Sequence, residues 1–248
     1  MSDLHFEFHP DGGKSFIEQL DPSGVDILVI AGDTGLHKGG SLHRGLGYLT
    51  TQYGDTPIVL IWGNHELYRS DRGKLIQHMG RIKKDYPTVN WLENSTVTIK
   101  GQRFVGTTLW FPDAPKNKLY QSGLNDFHCI NGDFSHWVYQ ENKVAQQFLW
   151  HTVKQDDVVV THHVPTPQGV HPKWRMSSLN RFFVTDLEDL IKEKSPKIWV
   201  YGHTHDYKSF QLHDTRLVCN PLGYLGREHT GFHKDLVIDL DKVSGYPW

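Results

Sequence analysis

The chain sets continuous apolar runs against abrupt polar stops. Residues 57–62 run Pro-Ile-Val-Leu-Ile-Trp and halt at Gly63, after which Asn64, His65 and Glu66 follow in succession. An uninterrupted apolar run ended by glycine predicts a buried parallel strand whose carboxyl end opens on a crevice. Residues 25–31 repeat the pattern before Gly32-Asp33, residues 158–161 before His162-His163, and residues 198–201 before Gly202-His203-Thr204-His205. These strands therefore end at residue types that ligate metals. A further cluster, Asp3-Leu4-His5, has only Met1 and Ser2 ahead of it, so a first strand is missing or very short.

Helical spacing fills the intervals. Residues 14–20 read as a short helix, and Leu42, Leu46 and Leu49 stripe a helix over 41–53. Asp71 or a neighbour caps a helix running to about Tyr86, with Leu75, Met79 and Ile82 facing inward. From Val89 the texture changes to β-rich pieces at 90–92, 96–99 and 104–110, which read as antiparallel. Residues 111–136 and 163–182 are connections long enough to favour functional loops. Residues 137–153 read as a helix, Thr185 as the cap of another through Lys194, and 209–212, 216–219 and 236–240 as strands. Alternating strands and helices followed by hairpins predict an α/β fold with sheets packed face to face and helices outside. The expectation is one domain over residues 1–248.

Composition narrows the classes. An apolar content of 38% in 248 residues supports a packed core. The net charge of -2 gives no footprint for nucleic acid or an anionic membrane, and Lys83-Lys84 reads as a solvated helix end. Two cysteines outside any Cys-x-x-Cys pair exclude a disulfide scaffold and favour a reducing compartment. No apolar run approaches the ~20 residues that span a bilayer, and no basic-then-apolar leader opens the chain, so the expected location is cytoplasmic. Neither Gly-x-Ser-x-Gly nor the glycine-rich phosphate loop ending in Gly-Lys-Ser/Thr occurs. Serine hydrolases and loop-type nucleotide enzymes receive no support.

What remains is an inventory of carboxylates, one carboxamide and imidazoles without a thiolate. That set suits Mn, Fe, Zn, Ni or Co better than a structural zinc site. Asp33 can bridge two ions through its two oxygens. Two divalent or trivalent cations roughly 3.5 to 4 Å apart share a water, lower its pKa toward neutrality and present hydroxide as a nucleophile. Phosphate esters are the natural target.

Taken in order, Asp3-x-His5, Gly32-Asp33, Gly63-Asn64-His65-Glu66, His162 before His163, and Gly202-His203-x-His205 resemble the five blocks of the calcineurin-like metallophosphoesterases. Asn220-Pro221-Leu222-Gly223-Tyr224 is similar to the segment that follows the last block in bacterial members. The resemblance implies a four-layer α/β/β/α sandwich with a dinuclear centre at the strand ends. By motif, Asp3, His5, Asp33 and His205 hold the first metal, and Asp33, Asn64, His162 and His203 the second. His65 then stands beside the leaving group. The implied chemistry is in-line attack by a metal-held hydroxide, with His65 donating a proton or hydrogen bond. The implied substrate is a small phosphate ester, a diester first. A nuclease, a phosphomonoesterase or protein phosphatase, and a scaffold that keeps the fold without turnover are the alternatives, and oligomeric state is left open.

The neighbouring residues carry weaker expectations. His163 leaves its strand on the side opposite His162 and is expected beyond the ligand set. Glu66 and Tyr68 are expected to hold their loop, and Asp126 to orient a metal-bound imidazole. Trp110, Phe111, His128, His171 and Trp174 either border the mouth of the site or pack within it.

Overall fold

The computed structural model describes residues 1–243. Among the described residues nine strands form two sheets. The first is parallel, in the order β1 (Leu28–Ala31), β2 (Ile58–Ile61), β3 (Val89–Trp91). The second contains β4 (Ser95–Ile99), β5 (Gln102–Thr107), β6 (Val158–Thr161), β7 (Ile198–Tyr201), β8 (Lys208–Leu212) and β9 (Thr215–Cys219), in the order β4-β5-β6-β7-β9-β8. Its central strands β5, β6, β7 and β9 are mutually parallel, and the antiparallel hairpins β4-β5 and β8-β9 form its edges.

Side-chain alternation in the strands sorts the apolar residues into layers. Leu28, Ile30, Ile58 and Leu60 face Leu42, Leu46 and Leu49 of α2 (Ser41–Tyr53) and Leu75, Met79 and Ile82 of α3 (Arg72–Asp85), beyond α1 (Lys14–Ile17). Their neighbours Ala31, Val59 and Ile61 turn the other way, against Phe104, Val158, Val160 and Ile198 of the second sheet. Val105, Val159 and Trp199 then meet helices on the far side. Those are α6 (Phe134–Thr152) and α7 (Glu188–Lys194), which follow the short α4 (Asn117–Tyr120) and α5 (Asp126–Cys129). Helix, sheet, sheet and helix thus stack around three apolar clusters. Each fully buried aliphatic side chain contributes roughly 1.5–3 kcal/mol.

Several boundaries differ from the pattern-based reading. The first long strand starts at Leu28 rather than Val25, because its partner β2 is preceded by Pro57, whose carbonyl takes the Leu28 N–H. Leu109 and Trp110, at φ 72° and 48°, end the extended run after Thr107. Residues 236–240 form no strand: Ile238 and Leu240 cover the inter-sheet cluster without joining a ladder, and a short turn, Leu240–Lys242, follows. Helix α7 is capped at Leu187, since Thr185 instead donates its hydroxyl to the Trp110 carbonyl. The first strand survives as a stub. Met1 to Asp3 pair with Ala31 and Gly32 on one side and with Asn220, Leu222 and Gly223 on the other.

Candidate functional site

Asp33 follows β1, Asn64 and His65 follow β2, His162 follows β6, and His203 and His205 follow β7, while Asp3 and His5 come from the stub. The structure brings them together at one end of the two sheets. Ligand atoms of Asp3, His5, Asp33 and His205 all lie within 4.8 Å of one another, and so do those of Asp33, His162 and His203. Asn64 joins the second group, its Oδ1 3.0 Å from His162 Nε2. Gly63 makes room for this approach. A Cβ there would stand 2.2 Å from Asp33 Oδ1 and 2.6 Å from His162 Nε2.

Backbone strain is concentrated here. Asp3, His5, Asp33, His203 and His205 all adopt positive φ, between 46° and 72°. Each such residue costs about 1–2 kcal/mol, and strain of this kind gathers where geometry serves a site. Hydrogen bonds hold it in place: Asp3 N to Gly32 O at 3.0 Å, His5 N to Asp33 O at 2.9 Å, and His203 N to Asp3 Oδ1 at 3.0 Å.

The outer nitrogens of the rings are engaged. His5 Nδ1 meets Glu7 Oε1 at 3.2 Å, His205 Nδ1 meets Glu228 Oε1 at 2.6 Å, and His162 Nδ1 meets the Ala31 carbonyl at 2.9 Å. When Nδ1 donates, a neutral ring turns an Nε2 lone pair inward. His5 Nε2 and His205 Nε2 face each other at 3.0 Å, a separation at which two lone pairs repel unless a proton or a cation stands between them. His203 Nε2 is buried without a partner, its ring stacked on Phe183 at 4.2 Å. Carboxylate oxygens and inward lone pairs in this arrangement fit a pair of cations.

Electrostatics agree. Burial opposes the charged His205, yet its bonds to Asp3 and Glu228 outweigh that and hold the ring up at about 10. His162 is likewise held up at about 9 by Asp33 against burial. Burial, with His163 and His162 nearby, keeps His203 well below the ordinary histidine value. Protons on two rings thus occupy the role that cations would take.

Glu66 staples the two loops, accepting from Gly63 N at 2.7 Å, Thr34 N at 2.7 Å and Asp33 N at 3.2 Å. Burial and the nearby Asp33 push its carboxyl up to about 8. Asp126 accepts from Asn64 Nδ2 at 2.8 Å and from the Tyr68 hydroxyl at 2.7 Å. It therefore orients a carboxamide, with Asn64 Oδ1 aimed at His162, where an imidazole partner was expected. His163 lies outside both groups, with Nδ1 3.3 Å from the Thr108 carbonyl. Trp110 and Phe111 pack in the core with Phe134, His128 bonds the Ser122 carbonyl, His171 caps Lys173, and Trp174 is exposed.

His65 stands at the edge of the first group. Its N–H donates to Asp33 Oδ1 at 2.9 Å, its ring stacks on Tyr68 at 4.1 Å, and its Nδ1 lies 2.9 Å from Glu7 Oε1. Against burial, Asp33 and Glu7 raise its pKa. Glu7 and Glu228 are the groups that pattern reading missed. Glu7 continues the two-residue step from Asp3 through His5, a usable signal, whereas Glu228 lies beyond every motif.

Two face-packed sheets with carboxylates and imidazoles gathered at their strand ends define an α/β protein with a candidate metal centre. Residues 1–207 match the family model described as calcineurin-like phosphoesterase. The chain belongs to that family, whose members are dinuclear-metal-dependent phosphoester hydrolases. Among curated proteins it is similar to the uncharacterized protein L509 of Acanthamoeba polyphaga mimivirus, 25% identical over 98% of this chain and 96% of that protein. Among solved structures it resembles phosphopantetheinyl hydrolase from Mycobacterium tuberculosis, with a TM-score of 0.72 and 17% identity over 93% of this chain and 92% of that one. The protein TT1561 of Thermus thermophilus follows at 0.59 and 12%, over 89% and 87%. These structures share the fold. Among the described residues no helix is long and apolar enough to cross a membrane.

Proposed function

We propose that the chain hydrolyses phosphodiesters at this centre. One observation carries the reading: a single oxygen, Asp33 Oδ2, lies 3.7 Å from His5 Nε2 and 3.5 Å from His162 Nε2, so one carboxylate faces both ligand groups. Asp3, His5, Asp33 and His205 would hold one ion, and Asp33, Asn64, His162 and His203 the other. Bound there, two cations such as Mn, Fe, Zn, Ni or Co supply Lewis acidity and an acidified water.

The chain's own residues do the rest. Asp126 holds the Asn64 carboxamide, Glu66 holds the Asp33 backbone N–H, and the His65 N–H donates to the Asp33 carboxylate. His65, with Nδ1 on Glu7, keeps Nε2 free of hydrogen bonds to the described residues, so that the protonated ring can donate from Nε2 to a leaving oxygen. Glu7, Glu228 and Asp126 border the ligands without bonding any Lys or Arg among the described residues. A monoester brings two negative charges into that surround and a diester one. This favours the diester. Free Cys129 and Cys219 support a reducing, cytoplasmic setting.

The test is a panel of phosphomonoesters, diesters, cyclic nucleotides, single-stranded DNA and a phosphopantetheinyl ester, the last because a fold neighbour is named for it. It is assayed after reconstitution with each metal. Diesters should rank first, with about two ions per chain, and His203→Ala should abolish turnover. Fewer than one ion per chain, or monoesters ranking first, would reject the reading.

A further inference from the structure

We propose that Glu7 is a shared positioning residue, one carboxylate oxygen that fixes the ring orientation of both His5 and His65 and so links metal loading to leaving-group assistance. The proposal rests on the reading of His65 given above. Glu7 Oε1 is 3.2 Å from His5 Nδ1 and 2.9 Å from His65 Nδ1. A carboxylate oxygen carries two lone pairs, and two ring N–H groups saturate it. The second oxygen, Oε2, is buried with no partner among the described residues, so within them the bonding of this carboxylate is confined to the two imidazoles.

The surrounding geometry leaves the rings little choice. Glu7 sits in the tight turn Phe6–Phe8, entered through His5 at φ 46° and closed by the Phe8 N–H on the His5 carbonyl at 2.8 Å. The His5 and His65 rings pack edge to face, with centroids 4.4 Å apart and planes at 69°. Both rings turn Nδ1 to the same oxygen, so both direct Nε2 away from it. For His5 that means toward His205 and Asp33. For His65 it leaves Nε2 as the free ring nitrogen.

Glu228 provides the contrast. It bonds His205 Nδ1 and the Tyr224 N–H, each at 2.6 Å, and has no bond to His65. Loss of Glu228 should therefore weaken metal binding alone, and loss of Glu7 should weaken binding and leaving-group assistance together.

The experiment compares wild type with Glu7→Leu, Glu7→Gln, Glu228→Leu and His65→Asn as full chains. In metal-free protein, imidazole 15N shifts should show His5 and His65 protonated at Nδ1. Glu7→Leu should scramble both while sparing His205. Titration with Mn should weaken the first ion by about 10–100-fold in Glu7→Leu and in Glu228→Leu. At saturating Mn, kcat for a diester with an alkyl leaving group should fall at least tenfold more than for a p-nitrophenyl diester in Glu7→Leu, as in His65→Asn. Glu228→Leu should leave the ratio of the two unchanged. Glu7→Gln, which preserves shape and keeps an accepting oxygen but loses the charge, should fall between wild type and Glu7→Leu in every readout and serves if the leucine variant does not fold. Equal losses for the two esters in Glu7→Leu, alongside unequal losses in His65→Asn, would overturn the shared role while leaving the acid in place. Equal losses in His65→Asn would sink the acid itself. Wild-type 15N shifts showing neutral rings protonated at Nε2 and bare at Nδ1 would overturn the proposal on structure alone.

Discussion

The two ligand groups that meet at Asp33 are built differently. His162 and His203 stand at the ends of central parallel strands, one ring held by the Ala31 carbonyl and the other by Phe183, and both are buried. In the rim group, His5 and His205, carboxylates of Glu7 and Glu228 hold the rings; His5 is itself fully buried, and the His205 side chain keeps 16% exposure. Strand ends and packing fix the inner group. The rim group depends on charged partners brought from the turn after His5 and from the chain beyond β9. The inner group should therefore respond to volume and the rim group to charge.

The largest effect should erase the distinction. Asp33→Asn removes the oxygen that faces both groups, and turnover should fall about 10³–10⁴-fold, corresponding to several kcal/mol of lost charge stabilisation, with metal content reduced at both positions. Retention of two ions by mass analysis would show that the groups are independent.

Next comes acidity in the metal-free protein. His205 at about 10 and His162 at about 9 lie above the unfolded value of about 6.5. Protonated rings therefore contribute stability that is fully present below pH 6.5 and lost as pH rises, through about 9 for the inner ring and about 10 for the rim ring. Urea unfolding of chelated protein should lose a few kcal/mol between pH 6.5 and 10. Added metal should oppose the loss, because ions replace the protons. A flat profile without metal would contradict the assignment.

Packing should reveal the inner group. Gly63→Ala forces a Cβ against Asp33 and His162, which should cost about 1–3 kcal/mol in thermal unfolding and cut binding of the inner ion more than that of the rim ion. The smallest effect serves as a reference outside both groups. Asp71 caps α3 by accepting the Lys74 N–H, so Asp71→Ala should lower stability by about 1 kcal/mol and leave metal titration unchanged.

The same division explains what could be read from the sequence. Inner ligands announce themselves, because an apolar run followed by glycine and a polar residue is a local signal of a strand end. The cap at Asp71 was legible for the same reason. The stub at residues 1–3 was legible only as a first strand missing or very short, since its partners lie at residues 31–32 and 220–223. Glu228 was hidden likewise, reaching His205 from 23 residues away through a loop. Thr185 looked like a helix cap, but its bonds to Trp110 and Asn142 prevailed over that local role. Residues 236–240 are rich in apolar residues and read as a final strand, yet the described chain there instead gives Ile238 and Leu240 to the inter-sheet core.

The stub also bears on how the molecule assembles. Residues 1–3 are zipped between β1 and residues 220–223, so the rim is closed by contacts roughly two hundred positions apart along the chain. Closing so long a loop is entropically costly and slow, and it follows the pairing of nearer segments. Competence at the rim must wait until residue 223 has emerged and the two distant stretches have met.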